Sequence, residues 1–144
     1  MDVYLIIGDA NTGKSSLIRC LTGCAQYNAR KIALTNGGTL TVQVSISSLQ
    51  ESSISPSAFI QQITSLADCN AVLVPLWEHS GNGYPAASQY ITAFQQAGWP
   101  IVKTALLNSQ TPPTNYPQCK AFTGVTSKPI NITSAAVRQH FEWI

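Results

Sequence analysis

The chain has 144 residues, 44% of them hydrophobic and only 10% charged, and a chain of that length buries one core unaided, so a single domain over 1–144 is expected. Eight basic and six acidic residues leave a net charge of +2; scattered without runs, they give no electrostatic footprint for nucleic acid or an anionic membrane. No apolar run approaches the roughly 20 residues that span a bilayer, so no membrane insertion is expected. The cysteines at 20, 24, 69 and 119 lack zinc-ligand spacing, and with no signal peptide expected they read as free thiols of a cytoplasmic protein.

The first apolar run, Val3-Tyr4-Leu5-Ile6-Ile7, is short and bounded by Gly8, as in a strand buried on both faces of a parallel sheet. From Lys14 the period changes: Leu17, Ile18 and Leu21 recur at helical spacing, and Gly23 stands where a C-cap glycine belongs. Residues 31–35 and 39–47 are β-prone, and Asn36-Gly37-Gly38 between them suits a tight hairpin. Ser55-Pro56-Ser57 has the chemistry of a helix start, and Phe59, Ile60, Ile63 and Leu66 form the stripe that follows.

A strand is predicted at 71–76, a break at Gly81-Asn82-Gly83, a helix over 85–96 ended by Gly98, and a strand at 101–107. Pro112, Pro113 and Pro117 mark an irregular stretch, and a last strand falls at 121–125. Ser134 is expected to cap a final helix carrying Val137, His140, Phe141 and Ile144. Alternating strands and helices after one early hairpin imply a three-layer α/β/α sandwich, its sheet mostly parallel with one antiparallel hairpin strand. Ligands of such sheets bind at the carboxyl ends of the strands, where Gly8, Glu78 and Asn108 would emerge.

One motif carries chemistry. Gly8-Asp9-Ala10-Asn11-Thr12-Gly13-Lys14-Ser15 matches G-x-x-x-x-G-K-[ST] in full, follows a buried strand and opens a helix. The glycines let the backbone curl so that successive N–H groups point inward at the positive end of the helix dipole, a cradle for phosphate. Lys14 is expected at the β- and γ-phosphates and Ser15 on Mg²⁺, with Asp9, Ala10, Asn11, Thr12 and Ser16 contributing mainly backbone to the cradle.

The chain holds six carboxylates in all. Asp2, Asp68 and Glu142 fall away from the expected strand ends, which leaves Glu51, Glu78 and Asp9. Glu78, after the fourth strand, is the candidate to hold a metal-bound water or act as a base. His79 beside it and His140 on the last helix read as structural or solvated, and Trp77, Trp99 and Trp143 as packing.

The segment from Gly8 to Leu17, with the hairpin after it, resembles a small P-loop GTPase of the Ras-like type, and the expected order of elements is similar to that of a P-loop NTPase. In that family the strand after the hairpin leads into D-x-x-G-Q-E; here Ile46 stands for the Asp and Leu49 for the Gly, while Gln50 and Glu51 match. The resemblance implies that Gln50 orients the attacking water, and that Asn108, matching the first residue of N-K-x-D, contacts the base. Thr35 and Thr39 are further hydroxyls that a metal would find in such a family. The implied function is binding of GTP or ATP with Mg²⁺ and slow hydrolysis as a molecular switch, with a protein effector or regulator as partner. A catalytically inactive pseudo-GTPase serving as an interaction module is the alternative, and a ParA-like or kinase-like ATPase the third reading.

Overall fold

In the computed structural model, which describes residues 1–66, 68–107 and 111–144, the chain forms six strands and four helices. They run β1 (Asp2–Ile7), α1 (Lys14–Thr22), β2 (Asn28–Ala33), β3 (Thr39–Val44), α2 (Pro56–Thr64), β4 (Ala71–Leu76), α3 (Ala87–Gln96), β5 (Ile101–Leu107), β6 (Cys119–Phe122) and α4 (Ile130–Phe141). One sheet in the order β2-β3-β4-β1-β5-β6 contains all the strands, and every neighbouring pair is parallel except β2 with β3. The expected α/β architecture with one antiparallel hairpin is therefore present.

Both faces of the sheet are covered. On one, Tyr4 and Ile6 of β1 pack with Leu17, Ile18 and Leu21 of α1 and Val137 and Phe141 of α4. On the other, Val3, Leu5 and Ile7 meet Phe59 and Ile63 of α2 and Tyr90, Ile91 and Phe94 of α3. The period-2 alternation of β1 thus splits one continuous apolar run between two cores. Aromatic rings close each: Tyr4, Phe141 and Trp143 lie 5.0–5.2 Å apart, and Phe94 stacks on Trp99 at 5.7 Å.

The caps follow local chemistry. Gly23 ends α1 at φ 74°, its N–H donating to the Arg19 carbonyl, and the Ser55 hydroxyl accepts from the Ala58 N–H with Pro56 at the first turn of α2. Several boundaries differ from expectation: β3 stops at Val44 and not at 47, the last strand is Cys119–Phe122 and not 121–125, and Ile144 lies beyond α4. Ser134 does not cap α4; it is buried within that helix, which begins after Pro129, because a proline fixes φ and needs no donor at a helix start. The hairpin's first strand starts three residues earlier than its apolar pattern, since Asn28-Ala29-Arg30 pair with β3 at an exposed edge that asks for no hydrophobic side chains.

Pro75 lies inside β4, between β1 and β3. Its neighbours along β4 alternate their hydrogen bonds: Leu73 accepts from Ser45 on the β3 side and Leu76 from Gly8 on the β1 side. The N–H that Pro75 lacks would have faced β3. The β3–β4 pairing stops at Val44↔Leu73, and the Pro75 carbonyl is met by the Leu49 N–H at 3.2 Å, well past the next rung. Residues 46–48 thereby leave the sheet between these two bonds, at the end where β1 turns into α1.

Candidate functional site

The loop between β1 and α1 curls through two left-handed residues, Asn11 at φ 65° and Gly13 at φ 89°. Gly13 is the N-cap of α1, with no side-chain cap on the helix, so the amides at its head are not spent on a capping group. A side chain at Gly8 would lie 2.5 Å from the Thr12 hydroxyl, which in turn donates to the Asp9 carbonyl at 2.8 Å. Glycine at 8 is therefore demanded by close approach and glycine at 13 by backbone conformation.

Lys14 is 7% exposed. Its Nζ donates to the Gly8 carbonyl at 2.6 Å and the Asp9 carbonyl at 2.7 Å, with the Thr12 hydroxyl at 3.4 Å. Burial pushes its pKa down to about 8, against the opposing pull of Asp9 and Glu51. The ammonium folds back over its own loop, where two carbonyls offer it partial negative charge but no counter-ion.

Beside it opens a cavity of about 250 Å³ lined by Ala10, Asn11, Gly13, Lys14, Ser15, Ser16, Ser48, Glu51 and Trp77. The Ser15 hydroxyl donates weakly to the Ile46 carbonyl at 3.4 Å. Ser48 is 1% exposed, and its hydroxyl has no partner among the described residues, an arrangement that costs free energy while it lasts. The sequence marks Trp77 only as a packing residue and does not single out Ser48; a serine in a serine-rich segment and a tryptophan after an apolar strand carry no mark of a cavity.

Two expected contributors are placed elsewhere. Gln50 is fully buried: its Nε2 donates to the carbonyls of Trp77 and Pro85, both at 3.1 Å, and its Oε1 accepts the Trp77 N–H at 3.0 Å. With amide oxygen and nitrogen both engaged by backbone, it brackets two loops together and does not line the cavity. Glu51, next in sequence, is exposed and lines it instead.

Glu78 is also absent from that lining. It gathers with Asp9 and His79 in a group whose ligand atoms lie within 4.8 Å of one another. His79 Nδ1 is 2.8 Å from Asp9 Oδ2, and the His79 backbone N–H donates to Asp9 Oδ1 at 3.2 Å. The Asp9 hydrogen bond raises the His79 pKa. Burial pushes the Asp9 carboxyl up, yet the hydrogen bonds and charge of His79, with Lys14, hold it below its ordinary value.

Thr35 and Thr39 flank the hairpin turn at the opposite end of the sheet: Thr35 bonds to the Glu142 carbonyl, and Thr39 opens β3. Neither hydroxyl is near the loop. Asn108 lies outside the described residues. His140 is a packing residue, its Nε2 at 3.0 Å from the Thr104 carbonyl and its ring beside Phe122 and Phe141.

Among the described residues no helix is long and apolar enough to cross a membrane. No family model, no curated protein and no solved structure matches this chain.

Proposed function

We propose that the chain is a P-loop protein that holds the phosphate tail of GTP or ATP in the loop 8–15, with Mg²⁺ at Ser15, and that any hydrolysis is slow. The observation that carries this reading is the conjunction at one point of left-handed Asn11 and Gly13, the uncapped head of α1 and the buried Lys14 ammonium. Such a turn presents backbone N–H groups and one cation to a polyanion.

The donors around the cavity suit the metal. Ser15, Ser48 and Glu51 supply hard oxygens, the ligand class that Mg²⁺ takes, and the orphaned Ser48 hydroxyl gains a partner when an oxygen-rich ligand enters. Bound there, Mg²⁺ would neutralise charge on the phosphate oxygens. For this chain's own part, the Lys14 ammonium leaves the Gly8 and Asp9 carbonyls for a phosphate oxygen, and the loop amides fix the rest of the tail.

A second reading, a nucleotide-dependent interaction module without turnover, draws on one observation. The glutamine expected to orient water is locked to the backbone of Trp77 and Pro85, and an Ile46 carbonyl, not a carboxylate, meets the Ser15 hydroxyl. Calorimetric titration with Mg²⁺ and GTP, ATP or their diphosphates tests the binding reading. Saturable heat is expected with the full chain, at least about a hundredfold weaker with Lys14→Ala; the absence of any heat at millimolar nucleotide would overturn it. Mg²⁺-dependent phosphate release that Lys14→Ala abolishes selects the slow NTPase. Stabilisation of roughly 2.7 kcal/mol at a hundred times the dissociation constant, without release, selects the module.

A further inference from the structure

A second and larger cavity, of about 370 Å³, opens on the other side of residues 45–49. Its floor is apolar: Phe59 and Leu49 are 1% exposed and Ile46 8%. One wall is the Tyr27 ring, held in place by the Gln62 amide, which donates to its hydroxyl at 3.2 Å. At the rim stands Arg19, whose Nε donates to the Ala25 carbonyl at 3.5 Å, tethering the head group. Among the described residues Arg19 is the one charged side chain in the lining, and no carboxylate shares it.

We infer that this cavity is a binding site for a small organic monoanion with an apolar, ring-sized body, distinct from the phosphate loop. Its volume lies at the low end of small-molecule sites, roughly 300–1,000 Å³, which suits a compact molecule better than a folded segment of a partner. The apolar floor and the Tyr27 face favour burial of a hydrocarbon or aromatic body. An unopposed guanidinium at the rim selects a carboxylate or sulfonate head, to which it offers paired N–H donors. The two cavities share a wall, because Ile46 lines the larger one with its side chain while its carbonyl accepts from Ser15 at the edge of the other.

The test uses two fluorescent probes of nearly equal shape, 1-anilinonaphthalene-8-sulfonate and its uncharged counterpart N-phenyl-1-naphthylamine, titrated against the full chain. One-to-one binding of the sulfonate is expected, weakened about tenfold by Arg19→Gln, a change that leaves the uncharged probe untouched. Ser47→Phe, which fills the mouth from an exposed position, should abolish both; Lys14→Ala and added tripolyphosphate should alter neither. Thermal melts of each variant separate a filled site from a misfolded chain. Failure of the sulfonate to bind, equal affinity in Arg19→Gln, or survival of binding in folded Ser47→Phe would overturn the assignment. So would displacement by tripolyphosphate, which would place the probe in the phosphate loop. Because the phosphate-loop reading is tested by Lys14→Ala and this one by Arg19→Gln, either can fail alone.

Discussion

Two segments leave the sheet at the same pole and face each other across the smaller cavity, yet they are built on opposite principles. The loop after β1 is held mainly by contacts within itself, Thr12 and Lys14 both donating to carbonyls of residues 8 and 9, with His79 on Asp9 and the Gly8 N–H on Leu76 as its ties outward. The segment after β3 is held by the rest of the protein, through Gln50 to Trp77 and Pro85 and through Asn82, whose amide donates to the Gln50 carbonyl at 2.9 Å. The loop after β1 can trade the carbonyls its own side chains donate to for the acceptor oxygens of a ligand, leaving its outward ties in place. A bracketed segment cannot move without unfastening the β4–α3 connection.

Breaking the bracket should have the largest effect. Gln50→Ala removes three part-buried hydrogen bonds and strands the Trp77 N–H, so a loss of about 3 kcal/mol is expected in urea denaturation. If stability were unchanged, the bracket would be ornamental and Gln50 free to serve the cavity.

Lys14 comes next. Its folded pKa of about 8 lies below the ordinary lysine value of 10.5, so between those pH values the unfolded chain binds the extra proton and stability must rise with pH. A gain of about 2 kcal/mol from pH 8 to 10.5 is expected in the ligand-free chain and should vanish in Lys14→Met. Conversely, a bound polyphosphate raises that pKa, so titrations at pH 8.5 in buffers of different ionisation enthalpy should report proton uptake.

The Asp9–His79 pair gives the smallest effect, because its imidazole is exposed. The raised His79 pKa contributes stability that is present below 6.5 and lost as pH climbs through the folded value. The lowered Asp9 pKa contributes above 3.8 and is lost as pH falls through its folded value. The pair therefore acts mainly between those limits. Asp9→Asn should bring the His79 titration, followed by NMR, back toward 6.5.

How far the molecule can be read from residues alone differs between these same two segments. The first is spelled by local chemistry: two glycines, a lysine and a serine at fixed spacing after a buried strand, each required by close approach, φ or charge. The strands at 71–76 and 101–107 were likewise legible, the first because a central parallel strand is apolar without interruption and the second because only Lys103 and Thr104 break its apolar run. The second segment is decided by tertiary contacts. Nothing local distinguishes Gln50, buried and bonded, from Glu51, exposed to the cavity. Pairing by family pattern assigned the water-orienting role to the first, whereas the fold turns the second toward the loop. Glu78 was legible as a candidate acid, but its company was not: that is set by where Asp9 and His79 meet across two loops.

The proline within β4 has a consequence for design. Where most sheets keep neighbouring strands apart by loop length or by charge, here the separation is fixed covalently, at a single imino acid. Pro75→Val would restore a donor toward Ser45 and invite the serine-rich run to anneal as further rungs. The wall common to both hollows would then flatten into the sheet, leaving a smoother domain in which both hollows are closed.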